Sequence, residues 1–359
     1  MFRLHKITLT QFKNYSLSSF GFDQRVTGIC GLNGRGKTNL LDAIYYCCFT
    51  RSYFTRNDGS TIQFDKEGFR LEALFEEEGR EQKLICILRG GKKELTLNDV
   101  PYEKLSTHIG RFPVVIIAPD DIELITGTSE ERRKFIDTVL SQMNEEYLQQ
   151  LILYNKILLQ RNSLLKRFAE QGKTDIPLLE VLDGQLIGPG NFIFRQRTEF
   201  LGKLIPLVQQ FYEQIANNGE AVSLEYETRL RERSFAELLL QVREKDLVLQ
   251  RSNAGVHKDE INMLLNGQSF RTTASQGQRK SLLFALKLAE FELLRKNKGF
   301  APLLLMDDIF EKLDDPRMQQ LLNWVCNENT GQVLITDTHR ERLETTFRNL
   351  KVEHRVIEL

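Results

Sequence analysis

A glycine-rich segment near the N-terminus has the residue types and spacing of a phosphate-binding loop. Residues 31–38 read GLNGRGKT and fit the pattern G-x-x-x-x-G-K-[ST], between an apolar run and a helical pattern. Glycines let backbone N–H groups approach phosphate oxygens, and the helix N-terminus favours an anion. The prediction is a nucleoside triphosphate site in which Lys37 bridges the β- and γ-phosphates and Thr38 ligates Mg²⁺. Its members are Gly31, Leu32, Asn33, Gly34, Arg35, Gly36, Lys37, Thr38 and Asn39. The alternative is a glycine-rich turn that binds nothing.

A pair of acids supplies the second candidate site. The apolar run LLLM at 303–306 ends abruptly in Asp307 and Asp308. Asp307 is predicted to organise the magnesium shell, while Asp308 would polarise the attacking water and act in catalysis with Lys37. The alternative is a solvated turn or a helix cap.

A third candidate is the small polar turn formed by Ser275, Gln276, Gly277 and Gln278 at the start of a helical pattern. It offers N–H donors and a hydroxyl to an anion, although an ordinary helix cap has the same residues. About 270 residues separate the glycine-rich loop from the acidic pair. Kinases and GTPases place both motifs within one short domain, so this gap predicts a large insertion.

The hydrophobic periodicity is consistent with such an insertion. Strand and helix patterns alternate at both ends of the chain, whereas long amphipathic helices occupy the middle. We predict an α/β domain from residues 1–127 and 251–359, interrupted by a helical lobe over 128–250. Helix breaks are expected at 172–177 and 188–189, and hairpin turns at 90–91 and 266–267. The apolar stripe expected to face the core of the lobe comprises Leu148, Leu151, Ile152, Ile157 and Leu158.

The composition excludes several classes of protein. Lys+Arg and Asp+Glu both number 49 among 359 residues, so an evenly basic nucleic-acid binder is excluded and any DNA contact must be local. Five cysteines without a CxxC pattern indicate reduced thiols rather than a disulfide scaffold or zinc site. No apolar run reaches the length of a membrane span, so we expect a cytoplasmic protein with no membrane partner. Local basic residues that could neutralise phosphates, or simply form a solvated face, are Lys156, Arg161, Lys166, Arg167, Lys173, Arg195, Arg197 and Lys203.

Taken together, the motifs resemble those of the RecF family, bacterial recombination mediators of the SMC and ABC-type ATPase superfamily. The resemblance runs almost end to end: the segments that carry it are LTQFKNY, GLNGRGKTNLLDAI, LNDVPYEKL, APDDIELITGTSEERRKFID, LLQRNSLLKRF, VHKDEINMLLNGQ, SQGQRKSLLFALKLAE and LLLMDDIFEKLDDPR. ERRKFID and QRNSLLK are the most specific, because ABC proteins at large do not carry them. The resemblance implies an ABC/SMC-type P-loop ATPase head formed by both chain ends, with the helical lobe inserted.

The resemblance also implies a function. Members of the family bind ATP with Mg²⁺, dimerise around it and hydrolyse it slowly, as a weak DNA-stimulated ATPase. They bind double-stranded, gapped or junction DNA and act with RecR and RecO to load RecA. By position, Ser275 to Gln278 match the signature that closes over ATP in a second subunit, and Leu313-Asp314 match the D-loop. Gln63 is the candidate Q-loop glutamine, and Lys13 and Asn14 match a polar pair near the nucleotide.

Three positions depart from the family pattern. Phe54 stands where an arginine is common, so Arg51 or Arg56 would have to replace it. Residues 255–260 read GVHKDE where the family has GPHRDD. A switch histidine aligns with Asp337, although His339 lies nearby, and we assign a switch role to neither.

Other functions compete with this interpretation. An SMC-type structural ATPase head is the main alternative, but it would require long heptad repeats. A transporter motor domain would require a membrane partner, and a small-molecule kinase or GTPase would not separate its motifs so widely.

Overall fold

The computed structural model describes residues 2–216, 219–310 and 315–359. In chain order, the strands are β1 Phe2–Phe12, β2 Tyr15–Gly21, β3 Val26–Cys30, β4 Gly68–Glu77, β5 Arg80–Arg89, β6 Lys92–Leu97, β7 Val100–Pro101, β8 Val114–Ile117, β9 Val222–Glu227, β10 Glu260–Leu265, β11 Gln268–Ser269, β12 Leu303–Met306, β13 Val333–Asp337 and β14 His354–Glu358. The α-helices are α1 Lys37–Phe49, α2 Glu123–Thr126, α3 Ser129–Met143, α4 Glu145–Gln171, α5 Ile176–Ala216, α6 Phe235–Leu249, α7 Phe270–Thr273, α8 Gln276–Lys298, α9 Asp315–Asn323 and α10 Arg340–Asn349.

The chain forms two compact units. The first comprises residues 1–122, 210–219 and 275–359, and the second comprises 123–209 and 220–274. The sequence analysis predicted boundaries at 127/128 and 250/251. By contacts, the segment 251–274 groups with the second unit, because β10 pairs with β9 over six residues.

A parallel sheet carries the predicted motifs of the first unit. Its strand order is β14-β3-β13-β12-β8, and all neighbours run parallel. Strands β3, β8, β12 and β13 are buried along their whole length, as expected for a parallel sheet covered on both faces. The loop after β3 and the acids after β12 therefore emerge at one edge, on either side of β13.

The first unit also contains an antiparallel sheet, with strand order β2-β1-β4-β5-β6-β7. Its β5–β6 hairpin turns at 90–91, as predicted. Helix α1 contacts strands of both sheets, and nearly every one of its side chains is buried. A helix buried on all sides is apolar all round, which explains the run LLDAIYYCCF. The phosphate-loop helix is thereby fixed in the core.

The second unit is mainly helical but contains the small sheet β11-β10-β9. Its hairpin turns at Asn266-Gly267, as predicted. Helix α4 ends at Gln171 and α5 begins at Ile176, so the break predicted there is correct. Within the described residues, no helix is long and apolar enough to cross a membrane.

Two predictions about the helices were wrong. Helix α5 continues through Pro189. The helix packs closely on its neighbours there, since a Cβ at Gly190 would lie 2.3 Å from the ring of Phe235. This packing offsets the loss of the backbone hydrogen bond that proline cannot donate. Of the predicted apolar stripe, only Ile157 is buried, and Ile152 is 47% exposed. The buried face of α4 instead contains Tyr147, Tyr154, Ile157, Arg161, Leu164, Leu165 and Phe168.

Candidate nucleotide-binding site

The glycines of the phosphate loop adopt conformations that side chains would oppose. Gly34 and Gly36 have φ angles of 83° and 112°, in the left-handed region that favours glycine. A Cβ at Gly36 would lie 2.6 Å from Asn14 Nδ2 and 2.8 Å from the Tyr15 hydroxyl. The loop therefore depends on glycine at position 36 for both its conformation and its close packing.

The turn between β1 and β2 braces this loop from one side. Asn14 Nδ2 donates to the Arg35 carbonyl at 3.1 Å, and the Tyr15 hydroxyl donates to the Gly36 carbonyl at 3.1 Å. Asn39 Nδ2 in turn donates to Asn14 Oδ1 at 2.8 Å. In a trans peptide the N–H points away from the C=O, so the N–H groups of Gly36 and Lys37 face away from this turn. Tyr15 was missed by the sequence analysis; burial raises its pKa to about 12, so it remains a donor.

Lys37 is the first residue of α1 and lies inside the loop. Its Nζ donates to the carbonyls of Gly31 at 2.6 Å and Leu32 at 3.3 Å. No side chain caps the N-terminus of α1. Together, a compact cation and uncapped helical N–H groups meet the requirements for binding phosphate.

The predicted metal ligands are in direct contact. Thr38 Oγ1 donates to Asp307 Oδ2 at 2.8 Å, although 269 positions separate the two residues. Thr336, on the intervening strand β13, donates to Asp307 Oδ1 at 2.7 Å. Burial raises the pKa of Asp307, an effect that the hydrogen bonds from Thr336 and Thr38 oppose. Thr336 was not predicted from the sequence, although its position beside Asp337 at the end of an apolar strand could have indicated it.

Asp308 has a strained backbone and an unpaired carboxylate oxygen. Its φ is 47°, and its N–H donates to Thr336 Oγ1 at 2.9 Å. Its Oδ1 is buried and has no hydrogen-bond partner among the described residues. One hydroxyl and two adjacent carboxylates form the hard oxygen donor set that suits Mg²⁺. The residues present therefore fit that ion.

Lys13 is held by α1 rather than pointing freely into the loop. Its Nζ lies 2.6 Å from Asp42 Oδ2, and Asp42 also accepts from Ser52 Oγ and from the Tyr53 N–H. The same ammonium lies 5.5 Å from the centre of the Phe54 ring. An arginine at position 54 would place a second cation there, so phenylalanine is compatible with this position of Lys13.

The two arginines considered as replacements for a cation at position 54 are both exposed. The Arg51 guanidinium lies 5.8 Å from the centre of the Phe49 ring. Arg56 is likewise at the surface. These positions do not indicate that Arg51 or Arg56 replaces the arginine that is common at position 54.

Gln63 lies beside the same β1–β2 turn. Its N–H donates to the Gln11 carbonyl at 2.9 Å, and its Nε2 donates to Ser16 Oγ at 2.9 Å. Its Oε1 is buried without a hydrogen-bond partner within the described ranges. The predicted Q-loop glutamine thus lies next to the turn that contains Lys13 and Asn14.

Ser275 and Gln278 form a reciprocal cap at the start of α8. Ser275 N–H donates to Gln278 Oε1 at 2.6 Å, and Gln278 N–H donates to Ser275 Oγ at 3.3 Å. Ser275 and Gln276 are exposed. A Cβ at Gly277 would lie 2.7 Å from Arg317 Nη1, so a side chain there would displace the end of the Arg317 side chain. The other predicted element, Leu313-Asp314, lies outside the described residues.

Asp337 and His339 differ in their surroundings. Asp337 is fully buried and accepts two hydrogen bonds from the Arg342 guanidinium. The His339 side chain is 72% exposed. The ion pair with the half-buried Arg342 holds Asp337 in place at the end of β13.

A buried charged cluster links the loop after α1 to helix α8. The Tyr53 hydroxyl donates to Asp121, and Lys287 Nζ lies 3.5 Å from Asp121 Oδ2 and 3.8 Å from Glu290 Oε2. Burial raises the pKa of Glu290 to about 7. Through Tyr53 and Asp42, this cluster continues to Lys13 beside the phosphate loop.

Two of the basic residues proposed to neutralise phosphates are instead buried in ion pairs of the second unit. Arg161 is 0% exposed and donates to Asp183 Oδ1 at 2.6 Å and to Asp246 Oδ2 at 2.7 Å. Arg197 donates to both oxygens of Asp137, at 2.9 and 3.0 Å. These two predictions were wrong, because charge along a sequence does not reveal which partners the fold supplies.

Comparison with known proteins agrees with this geometry. The family model described as "AAA domain" matches residues 6–315. The DNA replication and repair protein RecF of Cytophaga hutchinsonii is 41% identical over 96% of this chain and 92% of its own length. That of Flavobacterium johnsoniae is 41% identical over 99% of both chains.

Solved structures show the same similarity. A structure of the recombination mediator protein RecF with ATP, in the RecFOR pathway, has a TM-score of 0.87 and 31% identity, covering 94% of this chain and 92% of that chain. An SMC head domain from Pyrococcus furiosus has a TM-score of 0.56 at 16% identity, covering 96% of this chain and 92% of that chain, which shows a common fold alone. The P-loop ATPase fold predicted from the motifs is confirmed, and the chain belongs to the RecF family of DNA replication and repair proteins.

Proposed function

We propose that this chain binds ATP with Mg²⁺ at residues 31–39 and hydrolyses it slowly as a switch. The observation that carries the proposal is the contact between Thr38 and Asp307, with Asp308 beside them. This contact joins the two halves of a P-loop ATPase site across 269 positions of sequence. A related structure contains ATP, which supports the choice of nucleotide.

Each residue has a role that its surroundings support. The N–H groups of Gly36 and Lys37 and the Lys37 ammonium bind the phosphates, while Asn14 and Tyr15 hold the loop open. Mg²⁺, when bound to Thr38 and Asp307, neutralises charge on the phosphate oxygens. Asp308, whose buried Oδ1 has no partner within the described residues, orients the attacking water and accepts its proton.

We further propose that two copies close on ATP, with Ser275 to Gln278 of one copy completing the site of the other. Ser275 and Gln276 are exposed at the N-terminus of α8, a helix of 23 residues. Its dipole favours an anion there. A γ-phosphate that contacts both copies binds the closed dimer more tightly than the open state, and this difference drives closure.

The proposed biological role is DNA binding at gaps or junctions and loading of RecA together with RecR and RecO, in the cytoplasm. The RecF relatives support the DNA role, and a solved RecF belongs to the RecFOR pathway. The alternative of an SMC-type structural head is weaker. The longest helix, α5, has 41 residues, about 60 Å at 1.5 Å per residue, which is far short of an SMC rod.

Sedimentation with and without ATP and Mg²⁺ tests the nucleotide-driven dimer. Wild-type protein should dimerise only with both, whereas Lys37→Arg and Ser275→Arg should remain monomeric. Ser275→Arg removes the N-cap of α8, a loss of about 0.5–2 kcal/mol that should leave the chain folded, and Lys156→Arg, on an exposed face of α4, is the matched control. A wild-type monomer under every condition would rule out the clamp.

DNA binding is tested separately by gel shift on gapped and fully paired duplexes. The ATP-bound protein should shift both, and its affinity should fall steeply with salt because phosphate contacts release counterions. Absence of any shift at low salt would contradict the DNA role even if dimerisation occurs.

A further inference from the structure

Two segments that the sequence analysis singled out, QRNSLLK on α4 and the loop before β10, meet inside the second unit. Arg161 Nη1 donates to Ser252 Oγ at 2.8 Å as well as to Asp246. The N–H and hydroxyl of Ser252 both donate to Asn162 Oδ1 at 2.8 Å. Helix α4 therefore holds the start of the segment 251–260.

The rest of this loop is held as firmly. Asp246 Oδ1 accepts from the N–H of Asn253 at 2.9 Å and from its Nδ2 at 2.8 Å. His257 Nδ1 lies 2.7 Å from the Tyr154 hydroxyl, and its Nε2 lies 3.2 Å from the Ser252 carbonyl. Burial lowers the pKa of His257 to about 4, so this histidine is neutral. Arg161 and Asp246 are both fully buried, and burying this ion pair costs desolvation free energy. The hydrogen bonds that they and Asn162 make to Ser252 and Asn253 hold the loop in place.

This loop and the adjoining C-terminal part of α6 present cations that form no ion pair with the described residues. Lys245, Arg251 and Lys258, which we name the basic cluster, are exposed. Within the described part of the chain, none of their side chains forms a hydrogen bond or an ion pair. Partial burial, together with repulsion from Arg251, Arg133 and Lys245, lowers the pKa of Lys258, an effect that attraction to the buried Asp246 opposes. Like charges are thus held together, an arrangement that an anion would stabilise.

A cavity of about 480 Å³ adjoins the basic cluster and is lined by Lys245, Asn253 and Lys258. Carboxylates also line it, contributed by Glu227, Glu232, Asp259 and Glu260. Glu260 accepts a hydrogen bond from Ser129. The carboxylates oppose deep entry of an anion, so a polyanion would contact the cations from the surface.

We propose that the basic cluster binds phosphate groups of the DNA backbone. The inference rests on the proposed DNA-binding function and assigns a surface to it. Flexible lysines and an arginine without aromatic neighbours in the cavity suit phosphates, which position a nucleic acid without reading its bases. The buried network beneath them fixes their spacing, which limits the entropy lost on binding.

Fluorescence anisotropy on a fluorescein-labelled gapped duplex tests this surface, with full-length protein, ATP and Mg²⁺. The variant Lys245→Gln/Arg251→Gln/Lys258→Gln is compared with the control Lys156→Gln/Lys166→Gln/Arg167→Gln, which removes three exposed cations from α4 of the same unit. Both are measured between about 50 and 200 mM salt. Sedimentation with ATP checks that each variant still dimerises.

We expect the cluster variant to bind at least tenfold more weakly than wild type at about 0.1 M salt. The slope of log affinity against log salt should decrease by about 2 to 3, since each lost phosphate contact contributes about 0.9. The α4 control should change either quantity much less. If the triple cluster variant does not fold, Lys258→Gln alone, with Lys258→Arg retaining affinity, gives the same comparison with a slope change of about 1.

Two results would overturn the inference while leaving the proposed function intact. One is wild-type affinity and slope in the cluster variant, which would indicate that these cations serve an acidic protein partner or no partner. The other is an equal loss in both triple variants, which would show that overall charge, or the α4 cations that the sequence also offered as phosphate contacts, contributes as much as the basic cluster. If wild-type protein itself fails to bind DNA, the proposed function fails and the inference fails with it.

Discussion

Replacing Thr336 by valine tests whether its hydroxyl holds the two acids of the site. Thr336 is 0% exposed; its Oγ1 donates to Asp307 Oδ1 at 2.7 Å and accepts the Asp308 N–H at 2.9 Å. Valine has nearly the same shape but offers neither hydrogen bond. A hydrogen bond to a charged group contributes about 1.5–3 kcal/mol, and an unsatisfied buried N–H costs about 1–3 kcal/mol. Because the methyl group that replaces the hydroxyl offsets about 0.8 kcal/mol, the expected net loss in unfolding free energy is roughly 2–5 kcal/mol.

Urea unfolding of the first unit can be followed by its tryptophan. The sequence contains one tryptophan, Trp324, whose ring contacts Phe211 and Phe291 with centroids 5.3 and 5.6 Å away. Thr336→Val should lower the unfolding midpoint, and Thr336→Ser, which keeps the hydroxyl, should stay close to wild type. ATP turnover should fall more than ATP affinity, because Asp308 loses the bond that holds its strained backbone. Equal midpoints and equal turnover in the two variants would refute this account of the site.

Three further predictions concern stability and nucleotide binding. Burial raises the pKa of Glu290 from 4.5 to about 7. Between these pH values the folded state keeps a proton that the unfolded chain releases, so the free energy of unfolding decreases as pH rises from 4.5 to about 7. Glu290→Gln should remove this pH dependence and be roughly 2–3 kcal/mol more stable than wild type at pH 8, whereas parallel pH profiles of the two proteins would contradict the prediction. Arg161→Met removes the guanidinium that pairs with both Asp183 and the fully buried Asp246, and it should destabilise the second unit by about 3–5 kcal/mol, measured by hydrogen exchange. Lys166→Met, on the exposed side of the same helix, should change the stability by less than about 0.5 kcal/mol. Gly36→Ala, at φ 112° and 2.6 Å from Asn14 Nδ2, should abolish ATP binding in calorimetry without unfolding the chain; retained affinity would show that the loop tolerates a side chain.

The sequence alone was enough to predict the sites whose residues lie next to one another along the chain. The phosphate loop, the acids that end β12 and the cap at Ser275 are contiguous segments whose backbone conformation their own residues dictate. The order of motifs along the chain was also readable, and it led to the correct family.

The partners of those residues could not be read from the sequence. Thr336 reaches Asp307 only because β13 lies between β3 and β12, and Tyr15 reaches Gly36 only because the β1–β2 turn packs on the phosphate loop. The path of α5 through Pro189 likewise follows from packing against Phe235. Such contacts join residues that are distant along the chain, so no local pattern encodes them.

The charged residues show most clearly the difference between what the sequence predicts and what the tertiary structure determines. The sequence determined how many cations the middle of the chain carries, and the prediction from it treated Arg161 and Lys166 alike. The fold buries Arg161 between two carboxylates, whereas Lys245, Arg251 and Lys258 lie exposed and form no ion pair with any residue that the structure describes. Composition and local propensity depend on neighbours in sequence, whereas desolvation and ion pairing depend on neighbours in space, and only the tertiary structure determines those.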